Sequence, residues 1–325
     1  MTTRDIAQGA AGDGFRAAAH RTGHPGRRLG ALQPALGAGI YALASAIGIL
    51  LFTYPFFAAI TPQQAMDAGG AGAPNPAASP LAAGLVIALC LAAVVVEAQG
   101  QAMSAKLVAL LGVLLAINSV LRLAETALPG PGGFTPIFML VILAGYVFGP
   151  RFGFLMGALS MLVSALVTAG IGPWLPHQMF TAGWMGLSAG WLGRAVPARR
   201  ASAAGPAFLR PSRAEVALLI AFGTAWGFGY GAIMNLWFWP FQSGGVEQSW
   251  QAGLSAGQAF QRYAVFYAAT SLIWDTLAAI GNAVLLWLFG VPTLKALRRF
   301  KSRFLFESLV AGRWSSVDQR PATSD

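Results

Sequence analysis

KLVALLGVLLAINSVLR, Lys106–Arg122, is an unbroken apolar run with one cation at each end. A soluble helix keeps a polar face, and this one has none. Its uncharged residues, rising about 1.5 Å each, come close to spanning a hydrocarbon core that takes about 20 residues to cross. Similar runs lie at about 35–60, 81–97, 135–149, 152–171, 177–193, 215–237 and 264–289. The expected fold is therefore all-α, a polytopic transmembrane bundle of about eight helices. Composition agrees: 56% of the 325 residues are hydrophobic and 10% are charged, against about 25% charged in soluble domains. The 40 glycines and 19 prolines fall within or between apolar runs, where they read as packing and turn residues.

Four regions follow. Residues 1–34, rich in Arg, Gly, Ala and His without periodicity, read as a disordered cytoplasmic arm. Residues 35–100 hold two N-terminal transmembrane helices, 101–300 a six-helix core and 301–325 a cytoplasmic tail. The first apolar run is too long for a secretory signal. Orientation comes from the basic residues. The tails and the loops at 98–106, 150–151 and 194–214 hold 19 of the 21 Lys and Arg, leaving Arg122 and Arg262 on the opposite side. The positive-inside rule then places both termini in the cytoplasm of a cell whose plasma membrane this chain crosses repeatedly. The net charge of +10 faces the anionic inner leaflet rather than nucleic acid.

Several chemistries drop out. The single cysteine, Cys90, excludes an intrachain disulfide framework and any multi-cysteine metal site. His20 and His24 stand four apart, but no HExxH surrounds them, so neither a metal nor another cofactor is expected. A phosphate-binding loop needs Gly-Lys, whereas Lys106, Lys295 and Lys301 follow Ala105, Leu294 and Phe300. Any coupling to ATP must come from another subunit. Gly186-Leu-Ser188-Ala-Gly190 and Gly253-Leu-Ser255-Ala-Gly257 both match the hydrolase nucleophile elbow G-x-S-x-G. Ser188 lies within a membrane helix, on the order of 16 Å from His177 along it. Ser255 falls in an outer loop within conceivable reach of His177, which leaves an intramembrane hydrolase as a lesser alternative.

Polar and aromatic residues gather at the outer ends of the runs. Arg122 and Glu125 precede Pro129-Gly-Pro-Gly-Gly-Phe134, a stretch that cannot be helical. Trp174, His177 and Gln178 share a short proline-stiffened segment, and Gly223, Gly227, Gly231 and Asn235 stand four apart on one helix. Trp239 belongs to an aromatic cluster, and Asp275 interrupts the last apolar span. Each has a plain alternative: an interfacial aromatic belt, small-residue helix packing, or a structural ion pair of Asp275 with Arg122 or Arg262. Taken together they predict an outward pocket lined by Phe134, Trp174, Gln178, Asn235, Trp239 and Asp275, with Arg122 and Glu125 at its rim.

From about Ser104 to Phe300 the chain resembles the substrate-specific (S) components of energy-coupling factor (ECF) transporters, which import vitamins and micronutrients in prokaryotes. The resemblance rests on Gly133-Phe-Thr-Pro-Ile-Phe138, Ile142-Leu-Ala-Gly-Tyr-Val-Phe-Gly149 with Arg151-Phe-Gly-Phe154, Gly170-Ile-Gly-Pro-Trp-Leu-Pro-His-Gln178 and Met234-Asn-Leu-Trp-Phe-Trp-Pro-Phe241. It implies a subunit with no enzymatic activity that captures substrate at the outer face of a prokaryotic cell membrane. Release inward would follow docking on a transmembrane coupling subunit driven by ATPase subunits. The resemblance also implies a docking face of small residues, which Ala105 and Ala109 match and Gly112 and Ala116 continue, with Ala38, Ala42 and Ala46 as a rival stripe. Cobalamin or a precursor is the implied substrate. The alternative is a self-contained secondary transporter with a proton relay through Asp275 and Arg122 or Arg262.

Overall fold

Every residue from Ile137 to Val147 is buried, which is what a helix apolar on all sides requires. This helix, α3 (Ile137–Phe148), is the axis around which the others pack. The computed structural model describes residues 25–57, 84, 85, 88, 92, 105–127, 134–196, 211–242, 245–251 and 253–317. Before α3 come α1 (Pro25–Phe57) and α2 (Ala105–Ala127); after it come α4 (Pro150–Val167), α5 (Leu175–Ala195), α6 (Arg213–Phe238), α7 (Ala256–Thr270) and α8 (Leu272–Val317). A 3-10 turn, Trp239–Phe241, closes α6. Among the described residues the chain is thus all-α, with eight helices and no sheet.

Four of these helices, α2, α4, α6 and α8, are long and apolar enough to cross a bilayer, and α1 and α3 carry shorter apolar stretches. The protein is a multi-pass membrane protein.

Close backbone approach holds the centre together. A Cβ on Gly153 of α4 would run into the carbonyl oxygen of Gly186 on α5, and a Cβ on Gly186 into that of Gly153. Gly190 faces the Gly149–Pro150 backbone in the same way. Glycine is needed here for contact, as between membrane helices generally, and this accounts for both glycines of the Gly186–Gly190 motif. Ser188 in its middle donates to the Trp184 and Met185 carbonyls of its own helix. Gly149, at φ +103°, makes the turn from α3 into α4, with Pro150 at the first helical position.

The ladder Gly223, Gly227 and Gly231 lays α6 against α8: the first faces Leu286, the second the Ala279 backbone, the third the Asp275 carboxylate. Asn282 of α8 donates to the Gly223 carbonyl at 3.0 Å. Asn118 of α2 donates to Ser160 of α4 at 2.9 Å. Both asparagines are buried, and each amide nitrogen finds an acceptor on the neighbouring helix.

Three expectations are modified. Helix α1 starts at Pro25, inside the stretch read as a disordered arm; proline is a natural first helical residue and the chain after it contains helix formers. Its Tyr41, Ala44 and Phe52 are buried in the common core, with Tyr41 edge-on to Phe154 at 5.5 Å between centroids. The last expected span, 264–289, is two helices parted at Ser271. Because α6 ends and α8 begins at the same end of the bundle, α7 between them makes no crossing. Helix α8 then runs to Val317, past the expected start of a tail at 301. The expected span at 81–97, the linker at 129–133 and Cys90, His20 and His24 lie wholly or largely outside the described residues.

Alternating helix direction sorts the charges. Lys106, Arg151, Arg194, Arg213 and the basic stretch Lys295–Arg303 share one end of the bundle; Arg122 and Arg262 are at the other. At the basic end Tyr146 donates to Glu215 at 2.6 Å, Arg298 pairs with the same carboxylate, and Lys301 donates to the Val147 carbonyl. These contacts tie α3, α6 and α8.

Candidate functional site

At the end opposite the basic cluster, the C-terminal turns of α2, α4 and α6 meet the N-terminal turns of α3, α5 and α8 around a cavity of about 430 Å³. That is within the range of small-molecule sites, about 300–1,000 Å³. Seven of the eight residues expected to bind substrate line it: Arg122, Glu125, Phe134, Trp174, Gln178, Asn235 and Asp275. They come from four helices, α2, α5, α6 and α8, and from the segments that lead into α3 and α5.

Arg122 and Glu125 stand three apart on α2 and pair at 2.8 Å; Thr135 donates to the second Glu125 oxygen at 2.7 Å. The arginine charge is thus met locally and the segment entering α3 is tied to α2. The Phe134 ring seats against α8 at Gly281, where a Cβ would strike it. Trp174 folds over its own loop, its Nε1 donating to the Gly170 carbonyl at 3.1 Å, and leaves an exposed face at the mouth.

Asp275 stands in the first turn of α8 and is buried. Its expected partner was Arg122 or Arg262; the structure overturns this. Tyr267 of α7 donates to Asp275 Oδ2 at 2.7 Å, Arg122 is held by Glu125, and Arg262 donates to the Ser249 carbonyl at 3.1 Å. No described cationic side chain pairs with Asp275. The Tyr267 phenol is what holds the carboxylate. Tyr263, one turn earlier on α7, donates to the Ala232 carbonyl, so α7 is pinned to both α6 and α8 beside the cavity.

Trp239 is the expected site residue placed elsewhere. It is buried, donates to the Gln248 carbonyl at 2.7 Å, and packs edge-on to Tyr263 at 5.2 Å. Because the 3-10 turn after α6 redirects the chain, the ring points into the support of α7. His177 is also buried, between Phe52 at 4.9 Å and Trp237 at 4.5 Å, with Nδ1 3.2 Å from the Pro173 carbonyl. Ser255 caps α7 in a reciprocal pair with Gln258. The Ser–His contact a hydrolase requires is not formed.

Residues not expected also line the cavity, notably Tyr230, Ser164, Thr168 and Trp274. Tyr230 follows Gly229 and sits one turn before Met234 and Asn235 on the cavity-facing side of α6, within a glycine ladder that reads as packing. Ser164 and Thr168 stand four apart at the outer end of α4, a polar edge on an otherwise apolar helix. Among the described residues no cluster of His, Cys, Asp or Glu is arranged to hold a metal. Ala109, Gly112 and Ala116 lie exposed on α2, with open space around the Cβ position of Gly112.

A membrane-spanning helical bundle with a polar and aromatic chamber, open at its mouth, at the end remote from its basic residues has the form of a small-molecule binding component. The family model for the ECF transporter, substrate-specific component, matches residues 106–290, more than half the chain, and the protein belongs to that family. The family comprises non-enzymatic transport components that work with coupling and ATPase subunits. The match begins at α2 and ends within α8, so it contains the whole cavity and leaves α1 outside. Neither a curated protein nor a solved structure matches the chain.

Proposed function

We propose that the protein captures a vitamin-like small molecule in the cavity at the outer face of a prokaryotic plasma membrane and releases it inward when docked on an ATP-driven module. The observation that carries this is the position of the cavity at the end opposite the basic residues. Under the positive-inside rule that end is extracellular and both chain termini are cytoplasmic. Two N-terminal helices, one of them α1, accompany a six-helix core. On this reading the α2 stripe of Ala105, Ala109, Gly112 and Ala116 is the docking face, since a smooth strip lets a partner helix lie close and slide.

The cavity favours a substrate of modest size. A cavity of about 430 Å³ lies toward the small end of small-molecule sites, which run to about 1,000 Å³. A proton relay through an Asp275–arginine pair has no support in the hydrogen bonds of Asp275.

The test is uptake into lipid vesicles. The chain alone, under an imposed proton gradient, is expected to bind but not accumulate substrate; with coupling and ATPase subunits and ATP it accumulates it. Accumulation by the chain alone overturns the proposal.

A further inference from the structure

Three charged side chains line the cavity, and two of them answer each other. Arg122 and Glu125 pair at 2.8 Å, and the other Glu125 oxygen is taken by Thr135. The remaining one, Asp275, meets only the Tyr267 hydroxyl, so the chamber carries one carboxylate more than its cations balance. An uncompensated charge in the outer half of a membrane bundle is costly, and a positive ligand removes that cost. The walls agree independently. Tyr230, Trp174 and Trp274 line the same chamber, and tyrosine and tryptophan faces attract organic cations. An anionic ligand would meet two carboxylates and one arginine, whose Nη1 is taken by Glu125 and whose Nε is buried without a hydrogen-bond partner.

We infer that the cavity selects a small organic cation, a nitrogen-bearing ring compound, whose positive charge lies against Asp275 among Tyr230, Trp174 and Trp274. This rests on the capture function proposed above and names its substrate class. Gly231 belongs to the same arrangement: lacking a side chain, it lets α6 approach the Asp275 carboxylate directly.

The experiment uses the full chain in lipid nanodiscs, incubated with a small-molecule extract of prokaryotic cells and washed; retained compounds are identified by mass and by electrophoretic mobility at pH 7. The expected result is a retained compound that is cationic at pH 7 and held at least tenfold less by Asp275→Asn. Should that variant fail to fold, the charge is removed from the ligand instead: an analogue with carbon in place of the charged nitrogen is expected to bind the native chain at least tenfold more weakly. Retention of a neutral or anionic compound, or of a cation bound as well by Asp275→Asn or as its uncharged analogue, overturns the inference and leaves the capture function standing. Retention of nothing by the native chain overturns both.

Discussion

Gly231→Ala is the sharpest perturbation of the site, because one methyl group reaches the group on which the cavity's charge depends. A Cβ built at Gly231 falls against both carboxylate oxygens and the carboxyl carbon of Asp275. Asp275 is buried and held by Tyr267 at 2.7 Å, so it cannot turn aside and keep that bond. Loss of a hydrogen bond to a charged group costs about 1.5–3 kcal/mol. Overpacking adds about 1–3 kcal/mol. Against this, alanine gains about 1 kcal/mol of helix propensity over glycine. The net is a destabilisation of about 1.5–5 kcal/mol, and ligand affinity should fall separately, because the carboxylate that lines the cavity is displaced. The comparison variant is Gly112→Ala, which has nothing within 4 Å of its Cβ position and should be neutral or slightly stabilising. Thermal unfolding in detergent and ligand titration, run on both variants, read the two effects. If Gly231→Ala melts and binds like Gly112→Ala, the contact between α6 and the Asp275 carboxylate is wrong.

Three further outcomes are expected. Trp239→Phe should leave ligand affinity unchanged while lowering stability by about 1 kcal/mol, the usual worth of a hydrogen bond such as that to Gln248; a tenfold loss of affinity with normal melting would return Trp239 to the cavity. At the basic end, Glu215→Leu removes the carboxylate facing both Arg298 and Tyr146 and should cost about 3 kcal/mol, with Arg298→Leu in the same chain recovering part of it; unfolding curves of the two single variants and the double variant measure the cycle. Ala109→Leu, on an exposed position of α2, should abolish copurification with the coupling subunit and leave ligand titration unaltered, whereas Ala42→Leu on α1 should change neither copurification nor titration.

Much of the bundle was legible because hydropathy and charge act over whole segments. The apolar runs between 107 and 237 match helices α2 to α6, and the basic residues sorted the two ends before any contact was known. The failures share a cause. Between Val265 and Ala279 there is no proline or glycine to break a helix, so the parting of α7 from α8 at Ser271 could not be seen; it follows from α6 ending and α8 beginning at the same end of the bundle. The start of α1 was hidden by composition, since the basic and glycine-containing stretch around Pro25 looks like an arm until a core is present for Tyr41 and Phe52 to enter.

The site was legible for a different reason. A polar side chain in an apolar span must find a partner or a cavity, so Asn118, Asn235, Asp275 and Asn282 were marked by their presence alone. Which destination each took was not readable. Asn118 and Asn282 bond neighbouring helices, while Asn235 and Asp275 line the chamber. Aromatic residues carry no such marker, because a tryptophan is equally at home in lipid headgroups, core or cavity. Trp174 and Trp239 were therefore indistinguishable until the 3-10 turn after α6 sent one away. The same ambiguity hid Tyr230 within a glycine ladder whose packing role was obvious. The ladder has two functions along its length: Gly223 and Gly227 bring α6 onto α8, and Gly231 brings it onto a charge. That change along a single stripe couples the closeness of α6 and α8 to the position of Asp275, so a force separating the two helices would also alter the carboxylate that faces the ligand.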